Sequence, residues 1–289
     1  MAIKRILQAV GQGAGRVLLS AGLLIMASSS ARAQQEPAPA AETEASPASR
    51  PDTPNIQEII RKFAEKEKEF RAARDNYTYR QIVKVQELSP EGRVTGTFQL
   101  DSDIIFTPRG ERIEKVAYAP LSTLQGISIS PEDERDLRSV QPFVLTTEDL
   151  PKYNIEYKGR QKVDELDTYV FMVGPKTLEK GQRYFQGQIW VDDHDFQIVK
   201  TYGKAVPDIR KKGQENLFPR FETYREQIDG KYWFPTWTGA DDTLYFSTGS
   251  KRIRMLVQYK NYKQFRSTIT VTYGDEVPAQ TPKAPTPKP

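Results

Sequence analysis

The chain has 289 residues, 37% apolar and 28% charged, with 20 prolines and no cysteine, which excludes a disulfide scaffold, a thiolate zinc site and a cysteine nucleophile. Its formal charge of +4 resides in the first 33 residues, where Lys4, Arg5, Arg16 and Arg32 stand with no acid, and the rest balances 38 basic against 38 acidic residues. The surplus of positive charge that a phosphate-binding surface needs is therefore absent, and no nucleic-acid partner is expected.

The leader has the three parts of a secretory signal peptide. Positive charges at Lys4, Arg5 and Arg16 precede the apolar run Val17–Ala27, and Ala31-Arg32-Ala33 supplies a small-residue cleavage site. Eleven apolar residues fall short of the ~20 that span a bilayer. Residues 1–33 are therefore expected to be removed after Ala33, leaving Gln34 first and no transmembrane span in the mature chain. With no cysteine at the cleavage site and none elsewhere, a soluble periplasmic protein is the expectation.

Residues 34–54 are Ala, Pro, Glu and Ser without a large apolar side chain, and cannot offset their ordering entropy by burial, so they read as a flexible linker. The Pro-rich residues 275–289 read as an extended tail. The folded unit is expected over 55–274.

It opens with a helix over about 55–75, because Ile56, Ile59, Ile60, Phe63 and Phe70 form an i, i+3, i+4, i+7 stripe opposite Lys, Glu and Arg. After Asn76 the period changes to two. Tyr77, Tyr79, Val83 and Val85, then Val94, Phe98 and Leu100, later Ile253, Met255, Val257 and Tyr259, and finally Ile269, Val271 and Tyr273 alternate with polar residues, as half-buried antiparallel strands do. Turns are expected at Pro90-Glu91-Gly92, Pro108-Arg109-Gly110, Lys158-Gly159, Asp192–Asp195, Asp229-Gly230 and Thr248-Gly249-Ser250, joining one continuous meander. Alternation lapses over 121–150, where Ser130-Pro131-Glu132 reads as a helix start. Thr168–Val173, apolar on both faces, reads as a central strand, and Gly187 as a bend or close approach in the strand Tyr184–Val191.

Some ten strands with two modest helices imply a mainly β, α+β fold: a curved antiparallel sheet that curls around its helices as an incomplete barrel. Such a sheet leaves a groove on its concave face. Thirty aromatic residues could wall it, or fill an ordinary core.

The phrase Val163–Pro175, followed by Gln188-Ile-Trp-Val-Asp192 and Phe196-Gln-Ile-Val-Lys200, resembles the superfamily of periplasmic lipoprotein-sorting carriers (LolA/LolB-like) and related sensor domains. The helix leading into Asn76-Tyr77-Thr78-Tyr79 agrees with that group. The resemblance implies a half-barrel lidded by helices whose inner surface holds acyl chains, hence a carrier or sensor for a lipid or an acylated protein. Ile59, Ile60, Phe63, Tyr77, Tyr79, Phe98, Phe171, Ile189 and Trp190 are then the candidate ligand contacts. Arg210, Lys211 and Lys212 could meet an anionic headgroup, although Asp208 and Glu215 nearby favour a solvated loop. The chain departs from the group in its Pro-rich ends and in the long segment Gly203–Pro219. The alternative is an envelope module with a filled core that binds protein partners.

No catalytic group stands out. Gly11-Gln-Gly13-Ala-Gly15 lies in the leader, and His194 is the one histidine, in a turn with no G-x-S-x-G partner. Asp192, Asp193 and Asp195 lack the spacing of a calcium loop, and the pairs Asp101/Asp103 and Asp241/Asp242 have no nucleophile beside them. No enzyme activity, cofactor or metal site is expected.

Overall fold

The computed structural model describes residues 55–107, 111–139, 142–211 and 214–264. The leader, the linker, the tail, the turn at 108–110 and the strand expected over 269–273 lie outside them. Helix α1 (Ile56–Arg74) is followed by β1 (Tyr77–Leu88), β2 (Val94–Phe106) and β3 (Arg112–Tyr118). An irregular segment then carries α2 (Pro131–Ser139) and a 3-10 turn at Leu150–Lys152. After it come β4 (Tyr153–Val163), β5 (Leu166–Pro175), β6 (Tyr184–Asp192), β7 (Ile198–Val206), the short hairpin β8 (Ile209–Lys211) and β9 (Gln214–Asn216), β10 (Phe221–Gln227), β11 (Trp233–Phe246) and β12 (Gly249–Gln264).

Ten strands form one antiparallel sheet in the order β3-β2-β1-β12-β11-β10-β7-β6-β5-β4. It curves without closing, with β3 and β4 as its edges, which is the incomplete barrel expected. The single meander is corrected. The chain enters at mid-sheet, runs outward through β1, β2 and β3, crosses to the far edge, and returns through β4 to β12 until β12 pairs with β1. Two local expectations are also corrected. Lys158-Gly159 is not a turn but a bulge inside β4, where the register shifts between Tyr157 and Gly159. The reversal falls instead after Val163, where Asp164 takes a left-handed φ of 52°, a conformation a short polar side chain tolerates. And β5 is one strand from the edge rather than central, with Met172 exposed on its outer side.

Register places Leu100, Val83, Val257, Thr238, Thr223, Thr201, Ile189, Phe171 and Tyr157 in one row across the inner face. The curvature shows at the Gly187–Gly203 pair of β6 and β7, where a Cβ on Gly187 would sit 2.2 Å from the Tyr202 carbonyl oxygen and 2.5 Å from Gly203 Cα. Only glycine permits backbones that close.

α1 lies in the concavity. Its buried side chains are Ile59, Ile60, Phe63, Ala64, Glu67 and Phe70. The Phe63 ring meets Phe171 at 5.4 Å between centroids, and Phe70 meets Phe234 edge-on at 5.2 Å. Burying each such ring contributes roughly 1.5–3 kcal/mol. Glu67, a carboxylate the helix stripe assigned to solvent, is fully buried: its Oε1 accepts the Ile198 N–H at 3.1 Å and the Arg225 guanidinium at 3.0 Å. Arg225 also donates to the Phe143 carbonyl and lies over the Phe70 ring at 5.0 Å. Burial raises the Glu67 pKa against the opposing pull of Arg225. One buried ion pair thus ties α1 to β7, β10 and the segment before β4, and the helix fills the concavity as a fixed plug.

Candidate functional site

α1 covers only part of the inner face. Beyond it, the inner side chains of β1, β12 and β11 face the irregular segment that follows β3, and between them lies a cleft of about 650 Å³. Alternation aims Val85, Met255, Ile253, Leu244 and Phe246 into it from the sheet. Leu124, Ile127, Ile129 and Leu137 close it from the strap formed by residues 119–139, and Leu217 and Phe218 from the stretch after β9. Its polar lining is Gln125, Ser128, Ser130, Asp133, Glu215, Asn216, Ser247 and Thr248.

Two polar anchors hold the strap. Glu87 on β1 accepts the N–H groups of Gln125 and Gly126 at 3.0 and 2.9 Å and the Lys251 ammonium at 3.2 Å. Burial pushes the Glu87 carboxyl up, but those N–H groups and Lys251 outweigh it and leave its pKa below the ordinary value. At the second anchor, Ser130 caps α2: the Asp133 N–H donates to Ser130 Oγ at 3.1 Å while Asp133 Oδ2 accepts the Ser130 N–H at 2.8 Å, a reciprocal capping box. Asn216 donates to Ser130 Oγ at 2.6 Å, and Arg183 bridges Asp136 of α2 to the Asn216 carbonyl, 2.8 Å away. Burial pushes the Asp136 pKa up to about 6, with Arg183 opposing. Between the two anchors, no hydrogen bond from the Ile127–Ile129 stretch crosses to the sheet among those of the described residues.

None of the sequence-predicted contacts lines this cleft. Ile59, Ile60 and Phe63 are packed on the plug side of α1, and Phe171 and Ile189 are fully buried beneath it. Trp190 points to the opposite face from Ile189, packs on Val170 and Val199, and donates its indole N–H to Gln161 Oε1 at 2.9 Å. Tyr77 packs on Phe234 at 4.6 Å with its hydroxyl on Asp229, and Tyr79 packs on Tyr262 at 5.1 Å. Phe98 sits half-buried opposite Val85 on the inner face, next to the cleft. Arg210 is turned to Glu215 at 3.1 Å and to the Tyr245 carbonyl at 3.0 Å, Lys211 is exposed, and Lys212 lies outside the described residues. The cleft residues escaped the sequence reading because half of them sit in the stretch without periodicity. Their signal was three apolar residues, Leu124, Ile127 and Ile129, in a region where only lapsed alternation and short helices were expected.

The carboxylates considered for chemistry are engaged elsewhere. Asp192 accepts the N–H groups of His194 and Asp195 at 3.0 and 2.7 Å, closing the β6–β7 turn. Asp103 takes Arg80 in a two-bond fork at 2.8 and 2.9 Å, and Asp241 pairs with Arg252 and Arg254. Among the described residues no group of three His, Cys, Asp or Glu side chains is placed to hold a metal, and no helix is long and apolar enough to cross a membrane.

No family model matches the sequence, and no curated protein matches it. Among solved structures, a DUF1329 family protein from Desulfovibrio piger is 13% identical with a TM-score of 0.39, over 75% of this chain and 95% of that one. A LolA superfamily protein from Nitrosomonas europaea is 13% identical with a TM-score of 0.32, over 73% and 93% of the two chains. The chain is also similar, at 14% identity and a TM-score of 0.31 over 69% of its length and 91% of the other, to a putative outer membrane lipoprotein-sorting protein domain from Vibrio parahaemolyticus.

Proposed function

We propose that this is an exported periplasmic binding or carrier protein that takes an acyl chain, from a lipid or an acylated protein, into the cleft between β1, β11, β12 and the strap. The observation that carries this reading is the cleft itself: about 650 Å³, walled by aliphatic and aromatic side chains together with polar groups from the strap, α2, β9 and the β11–β12 turn. That size is what small-molecule pockets have, whereas a filled core leaves no such space. α1 belongs to the scaffold in this reading. Export follows from the leader, with cleavage behind Ala33.

Uptake of N-phenyl-1-naphthylamine, an uncharged probe that brightens in apolar surroundings, tests the reading. The wild-type chain over 34–289 should take up the probe. Leu124→Asp, which puts a charge on the half-buried strap wall, should abolish uptake while leaving the unfolding transition nearly unchanged. Absence of uptake by the wild type would defeat the proposal and favour the protein-interaction module.

A further inference from the structure

The charge around the cleft is one-sided. Its lining holds two ionisable side chains, Asp133 and Glu215, and no lysine, arginine or histidine. Glu215 is neutralised and saturated: Oε1 accepts Arg210 at 3.1 Å, and Oε2 accepts the Ser247 N–H at 2.7 Å and its hydroxyl at 2.5 Å. The carboxylates behind the wall are matched as well, Glu87 by Lys251 and Asp136 by Arg183. Asp133 is different. Its Oδ2 accepts the N–H and hydroxyl of Ser130, both at 2.8 Å, and among the described side chains it forms no ion pair. The positive end of α2, which would otherwise attract an anion, already carries Glu132, Asp133 and Glu134 in its first turn.

We propose that the cleft selects acyl ligands whose polar end is uncharged or amine-bearing, and discriminates against a free carboxylate or phosphate head. This rests on the acyl-binding reading above and narrows its substrate class. An anionic head seated beside Asp133 meets a like charge in surroundings made partly of aliphatic side chains, where repulsion is stronger than in water. A protonated amine meets an unmatched counter-charge there, and an alcohol or ester meets neither. Arg210, which pairs with the lining residue Glu215, cannot reverse the balance because Glu215 and the Tyr245 carbonyl already hold it.

The test is displacement of bound N-phenyl-1-naphthylamine by dodecylamine, dodecanol and dodecanoate near neutral pH, three ligands with one chain length and three heads. Dodecylamine and dodecanol should displace the probe at concentrations about ten-fold or more below dodecanoate, a factor worth about 1.4 kcal/mol. Asp133→Asn, which keeps an oxygen for Ser130, should bring dodecanoate to within about three-fold of dodecanol. If that variant does not fold, the salt dependence of the wild type serves instead, since the amine's advantage over the alcohol should shrink in high salt. Dodecanoate binding as tightly as dodecanol, or a folded Asp133→Asn with an unchanged ranking, overturns the headgroup inference and leaves acyl binding standing. Failure of the probe to bind, or of all three ligands to displace it, overturns both.

Discussion

Replacing Glu67 by Leu should destabilise the fold far more than a single helix position ordinarily can. The substitution leaves the Arg225 guanidinium, 1% exposed, with only the Phe143 carbonyl and the Phe70 face, and it leaves the Ile198 N–H without its acceptor. Stranding one partner of a buried pair costs about 3–5 kcal/mol. For a domain of this size each kcal/mol moves the midpoint by about 2–4 °C, so Glu67→Leu should lower Tm by roughly 6–20 °C. Arg225→Met should cost about as much, for the mirror-image reason. The double variant should not cost the sum, because no charge is then left buried alone. What remains is the orphaned Ile198 N–H and the Phe143 carbonyl, about 1–3 kcal/mol each at most. Urea unfolding of the four proteins gives the coupling energy directly. Additive single effects, or a loss below about 1 kcal/mol for either one, would refute the view that this pair locks α1 into the sheet.

Phe63→Ala should cost about 3–5 kcal/mol of stability yet leave probe uptake intact, since Phe63 packs on Phe171 and not on the cleft; lost uptake in a folded protein would put α1 back over the ligand. Gly187→Ala should destabilise by about 1–3 kcal/mol or more, because its Cβ meets backbone of β7 rather than a movable side chain; a neutral result by thermal melting would mean the sheet flattens there at no cost. Asp136, at about 6 in the fold against an ordinary 3.8, binds its proton more tightly folded than unfolded, so its contribution falls as pH rises from about 4 to about 6. Asp136→Asn should remove up to about 3 kcal/mol of that slope, and superimposable pH–stability curves for wild type and variant would sink the assignment. Mass spectrometry of the exported protein should find Gln34 first, and an intact Met1 in the membrane fraction would contradict the leader reading.

The elements with a period of their own were legible in the sequence. Ile59, Ile60, Phe63 and Phe70 announce α1, and the alternation of Ile253, Met255, Val257 and Tyr259 announces β12 with its inner face correctly assigned. Pairing was not legible: nothing near Val83 says that its neighbour is Val257, because strand partners far apart in the chain leave no local trace. Gly159 carried a turn signal that a bulge uses equally well, both needing a positive φ. Glu67 was hidden by its type although its position, four after Phe63 and three before Phe70, lies on the apolar stripe. The cleft was hidden because its strap wall, Leu124 to Ile129, is held by Glu87 and Ser130 rather than by any repeating pattern. Ile189 and Trp190 were assigned to one groove, although neighbours in a strand face opposite ways.

The pairing of β1 with β12 also constrains when the molecule can fold. Leu88 of β1 sits across from Arg252, and Tyr77 across from Gln264, so a strand made early sits in the middle of the sheet with one edge bare until nearly the whole unit has been synthesised. Contacts this distant in sequence are slow to form, since the intervening loop must be closed before they stabilise anything. A chain in this condition has hairpins such as β1–β2 available early but no way to complete its sheet. Under the export proposed above, the part of the sequence needed to lock the fold is among the last to cross, and the remainder stays pliable until it does.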